Sequence, residues 1–428
     1  MDELITNRLV GKRLLILGFG REGRSTLRFL QDRLPDAVIG IADRNPIDVD
    51  TEGVKGVRLH CGEGYLSAMY DYDLVIKTPG ISLKDFELNG VEITSQTDLF
   101  LGAFHAQTVG VSGTKGKSTT SSLIYHLLRS AGRDCVLVGN IGIPCFDMIP
   151  SINCETVVVY ELSAHQLEYV HNSPRAGVLL NIFEEHLDHF GTFERYKQAK
   201  LNLLRYMSEE DYAIIHESLV DEVFALAVNS MCYSRMAFEI DAERLPIKGG
   251  HNLQNACAAL CACAVMGLDT EEALPYLYSF KPLEHRLEVV GTFGGVRFVN
   301  DSISTIPQTA IAACQTFGEV DFLLLGGFDR NIDYAPLADF LKTISVKCVL
   351  VTGKAGQSIS KALNDKAYKG RIERYDTMEE AFAVVSRLSN EGDLCLLSPA
   401  ASSYDQYKNF EERGAKFKTL ALRFERRG

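Results

Sequence analysis

A glycine-rich run at 110–119, Gly-Val-Ser-Gly-Thr-Lys-Gly-Lys-Ser-Thr, constrains the fold of this chain more than any other feature. It follows the β-branched stretch Thr108-Val109-Gly110-Val111 and opens a helical pattern from Ser118 to Ser130, which places it at a strand-to-helix junction. A parallel α/β sheet supplies such junctions, each with backbone amides and a helix N-terminus turned toward an anion. The strict phosphate-loop spacing would put glycine at 111, where valine stands, and Gly110 and Gly113 serve instead. The chemically necessary parts are kept: Lys117 can reach the outer phosphates, and Ser118 or Thr119 can hold magnesium. The expectation is ATP with Mg2+, cradled by Gly113, Thr114, Lys115, Gly116, Lys117, Ser118 and Thr119.

A second glycine motif lies upstream. Gly18-Phe19-Gly20-Arg21-Glu22-Gly23 follows the apolar run Leu14 to Leu17, and Asp43 closes the next apolar run, 38–42. This is the GxGxxG arrangement, with an acid about twenty residues on, that admits a diphosphate and ribose hydroxyls. The pattern does not choose among a nicotinamide dinucleotide, a UDP-sugar and a glycine turn that binds nothing. A third apolar run, 74–76, leads into Thr78-Pro79-Gly80, so that three strands ending in turn chemistry suggest one parallel sheet.

With 428 residues, at roughly 150 per domain, the chain has room for two to four domains. The segmentation predicted is 1–106, 107–282 and 283–428, with further strands at 156–160, 176–180, 321–327, 348–353 and 393–399. The predicted fold class is therefore α/β throughout. A net charge of −12, from 44 basic against 56 acidic residues, argues against nucleic acid as partner. The eleven cysteines form no CxxC pair and read as reduced thiols; Cys257 and Cys261 lie one turn apart on a predicted helix over 252–266. Neither a signal-like start nor an eighteen-residue apolar run is present, so the expected location is the cytoplasm without membrane insertion.

Three further positions bear on the chemistry. Glu161, after the strand at 156–160, suits a magnesium ligand or equally a helix cap or solvated acid. His186, in Glu184-Glu185-His186-Leu187-Asp188-His189, suits a magnesium ligand or a phosphate-orienting group, and the spacing is not the HExxH of a zinc protease. Lys200, on a predicted helix, reads on its own as a surface lysine.

Taken together these residues resemble the Mur ligase family along essentially the whole chain. The resemblance rests on residues 14–23 and 113–119, Gly139-Asn140-Ile141-Gly142, Glu161 to Ser163 with Gln166, Asn181 to Asp188, and His251-Asn252 with Asn255. It continues through His285-Arg286, Asn300-Asp301-Ser302, Gly326-Gly327 and Leu397 to Ala400, and the ending 403–414 is similar to the glutamate-adding branch. It implies a Rossmann-like N-terminal domain for a UDP-sugar, a central ATPase and a C-terminal α/β domain that closes over the nucleotide. The implied substrates are UDP-N-acetylmuramoyl-L-alanine and glutamate, joined through an acyl phosphate by a monomer.

The residue roles implied are specific. Lys117, Asn140, Glu161, His186 and Lys200 would be catalytic, with Ser118, Glu161, His186 and a carbamylated Lys200 organising magnesium. Asn252, Asn255, Arg286 and Asp301 would hold the nucleotide; Gly18, Gly20, Arg21, Asp43, Thr78 and Asn140 the UDP-sugar; Thr305, Arg330, Ser403 and Phe410 the glutamate. Two departures stand out. Ile303 replaces the lysine of the family's Asn-Asp-Ser-Lys pattern, which leaves D- or L-glutamate open, and Asp43-Arg44-Asn45 replaces Asp-x-Arg. A nicotinamide oxidoreductase would leave the loop at 110–119 idle, and a nucleotide-gated binding module would close on ATP without releasing phosphate.

Overall fold

The computed structural model describes residues 2–47, 56–140, 143–226, 228–247, 249–281, 284–329 and 332–426. The chain divides into two compact units, Met1–Lys281 and Pro282–Gly428. The fold is mixed α/β, built on three sheets that are parallel apart from one hairpin.

The first unit carries two sheets. One contains β1 (Leu14–Leu17), β2 (Ile39–Asp43), β3 (Arg58–Cys61), β4 (Leu74–Lys77) and β5 (Ile93–Thr94) in the order β3-β2-β1-β4-β5. The other contains β6 (Thr108–Ser112), β7 (Cys135–Gly139), β8 (Val157–Glu161), β9 (Ala176–Leu179), β10 (Tyr212–Ile215) and β11 (Ser230–Cys232) in the order β11-β10-β9-β6-β8-β7. Their strands are near-continuous apolar runs because helices cover both faces, as parallel sheets require. β6 and β8 show this directly: Val109, Val111 and Val159 enter one apolar cluster, while Val158 and Tyr160 enter another. That second cluster also includes Leu14, Ile16 and Ile41, so a single core runs through both sheets of the unit.

Both glycine motifs leave the C-terminal ends of central strands, β1 and β6, where neighbouring connections run to opposite sides. Crevices for ligands form at such reversals. The strands β3, β5, β7, β10 and β11 were not anticipated from sequence.

The second unit holds β12 (Glu288–Phe293), β13 (Val296–Asn300), β14 (Phe322–Gly326), β15 (Cys348–Thr352), β16 (Ile372–Arg374) and β17 (Leu394–Leu397), ordered β12-β13-β17-β14-β15-β16. β12 and β13 form the antiparallel pair, joined through Gly294 (φ +55°) and Gly295 (φ +78°). Two consecutive positive φ values suit glycine and match the twist of a tight hairpin. Leu323 and Leu325 face one core of this unit, Phe322 and Leu324 the other.

None of the eleven cysteines is in a disulfide; eight are buried, Cys232 is half-buried, and Cys61 and Cys154 are exposed. Burial pushes the Cys135 and Cys261 thiols up to about 12, which keeps them protonated and unreactive. Cys257 and Cys261 are buried on the helix Gly250–Val265. Among the described residues no helix is long and apolar enough to cross a membrane.

Candidate functional site

The loop between β6 and the helix Lys117–Ser130 is shaped by two glycines. Gly113 (φ +149°) and Gly116 (φ +88°) both lie outside the ordinary L-residue regions. A Cβ on Gly116 would come within 2.7 Å of Asn255 Oδ1, so the helix Gly250–Val265 is packed directly under the loop. Asn255 Nδ2 in turn donates to Asn252 Oδ1 at 3.1 Å. The loop is braced from the segment just beyond β9 as well: Thr114 N donates to Asn181 O (2.8 Å), Lys115 N to Asn181 Oδ1 (2.8 Å), and Asn181 Nδ2 to Lys115 O (3.1 Å).

Two lysines converge on this loop. Lys117 Nζ donates to Gly113 O (2.9 Å) and Thr114 O (3.0 Å), and Lys200 Nζ donates to the same Gly113 O at 2.8 Å. Lys200 is 1% exposed. The surface-lysine reading of its sequence neighbourhood is thereby corrected: its helix, Phe193–Arg205, turns this residue inward beneath the loop. Desolvation, then the neighbouring Lys117 charge, holds the Lys200 amine well below its ordinary range. Both effects disfavour the charged form of the amine, and it is the neutral form that is a nucleophile. Tyr196 lies under it, with the ring centroid 5.0 Å from Lys200 Nζ and the hydroxyl 3.0 Å from Thr114 Oγ1.

Glu161 terminates β8 and is fully buried, which removes the solvated reading; the cap of the following helix Ala164–Leu167 is Ser163, whose hydroxyl accepts from Gln166 N. Asn140 Nδ2 donates to Glu161 Oε1 at 2.9 Å, while the buried Oε2 has no hydrogen-bond partner among the described residues. A buried carboxylate oxygen in that condition is costly unless a cation or donor completes it. With Ser118, buried at the start of the Lys117–Ser130 helix, this is a donor set of hard oxygens of the kind magnesium takes. His186 stands at the head of the short helix Leu187–Phe190 with φ +57°, a left-handed conformation that a non-glycine residue holds only under constraint. Its ring lies 6.0 Å from that of Tyr196 and 4.7 Å from that of His165. Burial and the flanking His189 and His186 push the His165 imidazole down to about 3. Lys115 pairs with Glu185 beside this turn.

The upstream glycine turn is equally specific. Gly18 (φ +92°) admits no side chain, since a Cβ would stand 2.1 Å from Thr78 Oγ1, and a Cβ on Gly23 would stand 2.2 Å from Gly18 O. Strand, turn and helix are thus in direct backbone contact. Gly20 caps the helix Arg21–Arg33 without a side-chain bond, and Arg21 is exposed. Asp43 accepts from Phe19 N (2.7 Å) and Asn45 N (2.8 Å), so its carboxylate braces the loop as well as bordering it. Thr78 Oγ1 donates to Leu17 O at 2.9 Å.

In the second unit, Asp301 follows β13 and is buried. It accepts from Ser398 Oγ (2.7 Å), Ser304 Oγ and Leu287 N (3.2 Å). Desolvation raises its carboxyl to about 6 against the lowering effect of these bonds and of the Arg286 charge. His285 (φ +64°), Leu287 (φ +46°) and Ala400 (φ +55°) around it are all left-handed, a concentration of backbone constraint at one place. Buried Arg413 ties the neighbouring loops: Nε donates to Ser302 Oγ (3.0 Å), Nη2 to Ser302 O (2.8 Å) and Nη1 to Ala401 O (3.1 Å). Ser302 Oγ donates to Phe410 O at 2.8 Å. Ser403 is buried and Thr305 and Phe410 are half-buried in these same loops. Arg330 lies outside the described residues, as do Ile141 and Gly142.

Lys117, Lys200, Asn140, Glu161, Ser118, Asn252 and Asn255 are thus gathered round one loop and its supporting elements. Sequence reasoning missed Tyr196, His165, Lys77, Glu168 and Arg413. The available signal was a lysine ending an apolar strand at Lys77 and an arginine in an otherwise apolar helix register at Arg413.

Comparison with known proteins adds a separate line. Residues 111–243 match the Mur ligase middle domain, and residues 285–401 the Mur ligase glutamate ligase domain. The chain is 34% identical to a UDP-N-acetylmuramoylalanine–D-glutamate ligase of Symbiobacterium thermophilum, over 96% of this chain and 97% of the relative. It is 32% identical to the protein of the same name from Acetivibrio thermocellus, with 96% and 97% covered. Among solved structures, a MurF ligase from Thermotoga maritima in complex with ADP aligns with a TM-score of 0.58 at 18% identity, covering 99% of this chain and 100% of that one. The UDP-N-acetylmuramate-alanine ligase MurC of the same organism aligns at 0.56 and 19% identity, covering 96% and 99%.

Proposed function

The chain belongs to the Mur ligase family, and from that premise we propose that it is the ATP-dependent ligase that adds D-glutamate to UDP-N-acetylmuramoyl-L-alanine in peptidoglycan synthesis. The observation that carries the chemistry is the convergence of Lys117 and buried Lys200 on the Gly113 carbonyl, close to a buried Glu161 with one unpartnered oxygen. ATP phosphorylates the terminal carboxylate of the acceptor. The glutamate amine then attacks the acyl phosphate, loses a proton and expels phosphate, leaving an amide.

The loop 113–119 cradles the ATP phosphates through its amides, and Lys117 neutralises the group in transit. Asn140 orients Glu161 and borders the acceptor. Ser118, Glu161, His186 and a carbamylated Lys200 are the residues that would hold magnesium, which supplies charge stabilisation to phosphoryl transfer when bound. Carbamylation adds CO2 to the Lys200 amine with loss of a proton, so that the side chain ends in a carboxylate, and the depressed basicity of that amine supports the reaction, because only the neutral form adds CO2. The UDP moiety is assigned to Gly18, Gly20, Arg21, Asp43 and Thr78. Asn252, Asn255, Arg286 and Asp301 are assigned to the nucleotide, and Thr305, Arg330, Ser403 and Phe410 to the incoming amino acid. Arginine at 330 suits a dicarboxylate because its planar fork pairs bidentately with a carboxylate.

The test is phosphate release with ATP, magnesium and UDP-N-acetylmuramoyl-L-alanine, run in parallel with D-glutamate and L-glutamate and with the product identified by mass. Release with D-glutamate and its abolition in Lys117→Met are expected. Release with L-glutamate alone would reassign the stereochemistry, and silence with both would reject the acceptor.

A further inference from the structure

We propose that Glu168 is a positioning residue that locks the His186 turn against the end of β4 and thereby holds His186 in place for phosphoryl transfer from ATP; the inference rests on the ligase reading above. Glu168 directly follows the helix Ala164–Leu167, a few residues beyond Glu161 at the end of β8. Its Oε2 is shared by two partners from different parts of the unit. Lys77 Nζ lies 3.2 Å away and His189 Nε2 3.0 Å away. Lys77 is the last residue of β4, beside Thr78, and its side chain is 2% exposed.

The turn is fastened a second time, because Ser82 Oγ, beyond the Thr78-Pro79-Gly80 bend, donates to His189 O at 2.8 Å. From the other side the His165 ring packs edge-on against His186 (4.7 Å) and His189 (4.4 Å). Between them in sequence, Gln166 Nε2 donates to Glu22 Oε1 of the glycine turn at 2.7 Å. The segment 165–168 therefore reaches the His186 turn, the glycine turn and the end of β4 at once.

His186 needs such an anchor. Its left-handed backbone persists only where the surroundings over-determine it, and both His189 N and Phe190 N donate back to His186 O at 3.1 Å. Fixing His189 through Glu168 fixes that hydrogen-bonded turn, and fixing it to Lys77 registers it against the strand end that borders the acceptor. Partners that orient a ligand-bearing histidine control activity without touching substrate.

The experiment uses the full-length chain carrying Glu168→Gln, read by steady-state kinetics and by amide hydrogen exchange. Phosphate release should fall about 10- to 100-fold in kcat with KM for ATP unchanged. Exchange at His189, Phe190 and Gly191 should quicken while β6 and the Lys117–Ser130 helix keep their protection. A Lys77→Met/Glu168→Gln double variant, which leaves no unpaired buried charge, should fold and show the same kcat loss. Unchanged kcat in the double variant, unchanged exchange at 189–191, or faster exchange throughout the first unit would each overturn the proposal. Failure of the unsubstituted chain to ligate would refute the ligase reading instead, and the exchange measurement, which needs no substrate, separates the two.

Discussion

Lys200 and Asp301 are buried ionisable side chains whose environments both disfavour the charged form, one by lowering an amine and the other by raising a carboxyl. Burial beneath the loop, where its Nζ donates to Gly113 O, and then the Lys117 charge lower the basicity of Lys200. A carbamate should therefore form, visible as a single protein-bound signal when the chain is equilibrated with 13C-labelled CO2; Lys200→Arg should lose both the signal and ligation. Asp301 is pushed up to about 6 from 3.8. A carboxyl whose folded value exceeds its unfolded one binds the proton more tightly when folded, so its contribution is fully present below about pH 4 and is lost as pH rises through 6. Denaturant unfolding should show the native state losing on the order of 3 kcal/mol from this group between those limits, and Asp301→Asn should remove that part of the slope. Neither environment was legible in sequence. The helical neighbourhood of Lys200 reads as ordinary surface, and only tertiary packing against the loop after β6 determines which way it points. Lys117 and Ser118 were legible because a phosphate loop is local: its residues, spacing and backbone requirement lie within ten positions.

At the level of elements, the long central strands and both strand-to-helix turns were readable from apolar runs ending in glycine or polar residues. Edge strands such as β3 and β16 were not, because short, half-exposed segments carry little pattern and owe their conformation to a neighbour. The hairpin β12–β13 went unread although Gly294-Gly295 is a hairpin signal. Glycine positions give the sharpest test here. Gly23→Ala would press a methyl group to 2.2 Å from Gly18 O, a backbone atom with no rotamer to change. Titration with UDP-N-acetylmuramoyl-L-alanine should show binding abolished or weakened at least tenfold, with a stability loss of about 3 kcal/mol. Gly116→Ala, at φ +88° and against Asn255, should strain the phosphate loop by about 1–3 kcal/mol and weaken ATP while leaving acceptor affinity intact.

Across the molecule, the two sheets of the first unit are bound into one cooperative body. Beyond their shared apolar core, Asp98 is fully buried and accepts from Arg8 Nη1 (3.1 Å), Thr94 Oγ1 (2.8 Å), His171 N (2.6 Å) and Asn172 Nδ2 (2.8 Å), joining segments that flank both sheets. Asp98→Ala should cost about 1–3 kcal/mol, because it leaves buried donors without their acceptor, and hydrogen exchange in β1 and β6 should accelerate together. The distribution of thiols has a practical corollary for following such events. Cys61 ends β3 in one sheet of this unit and Cys154 precedes β8 in the other, whereas Cys314, Cys348 and Cys395 of the second unit are all buried. A maleimide dye applied to the native chain should tag those two positions first, one reporter per sheet. The chain thus carries two labelling sites for fluorescence ranging inside the first unit without any cysteine having to be added.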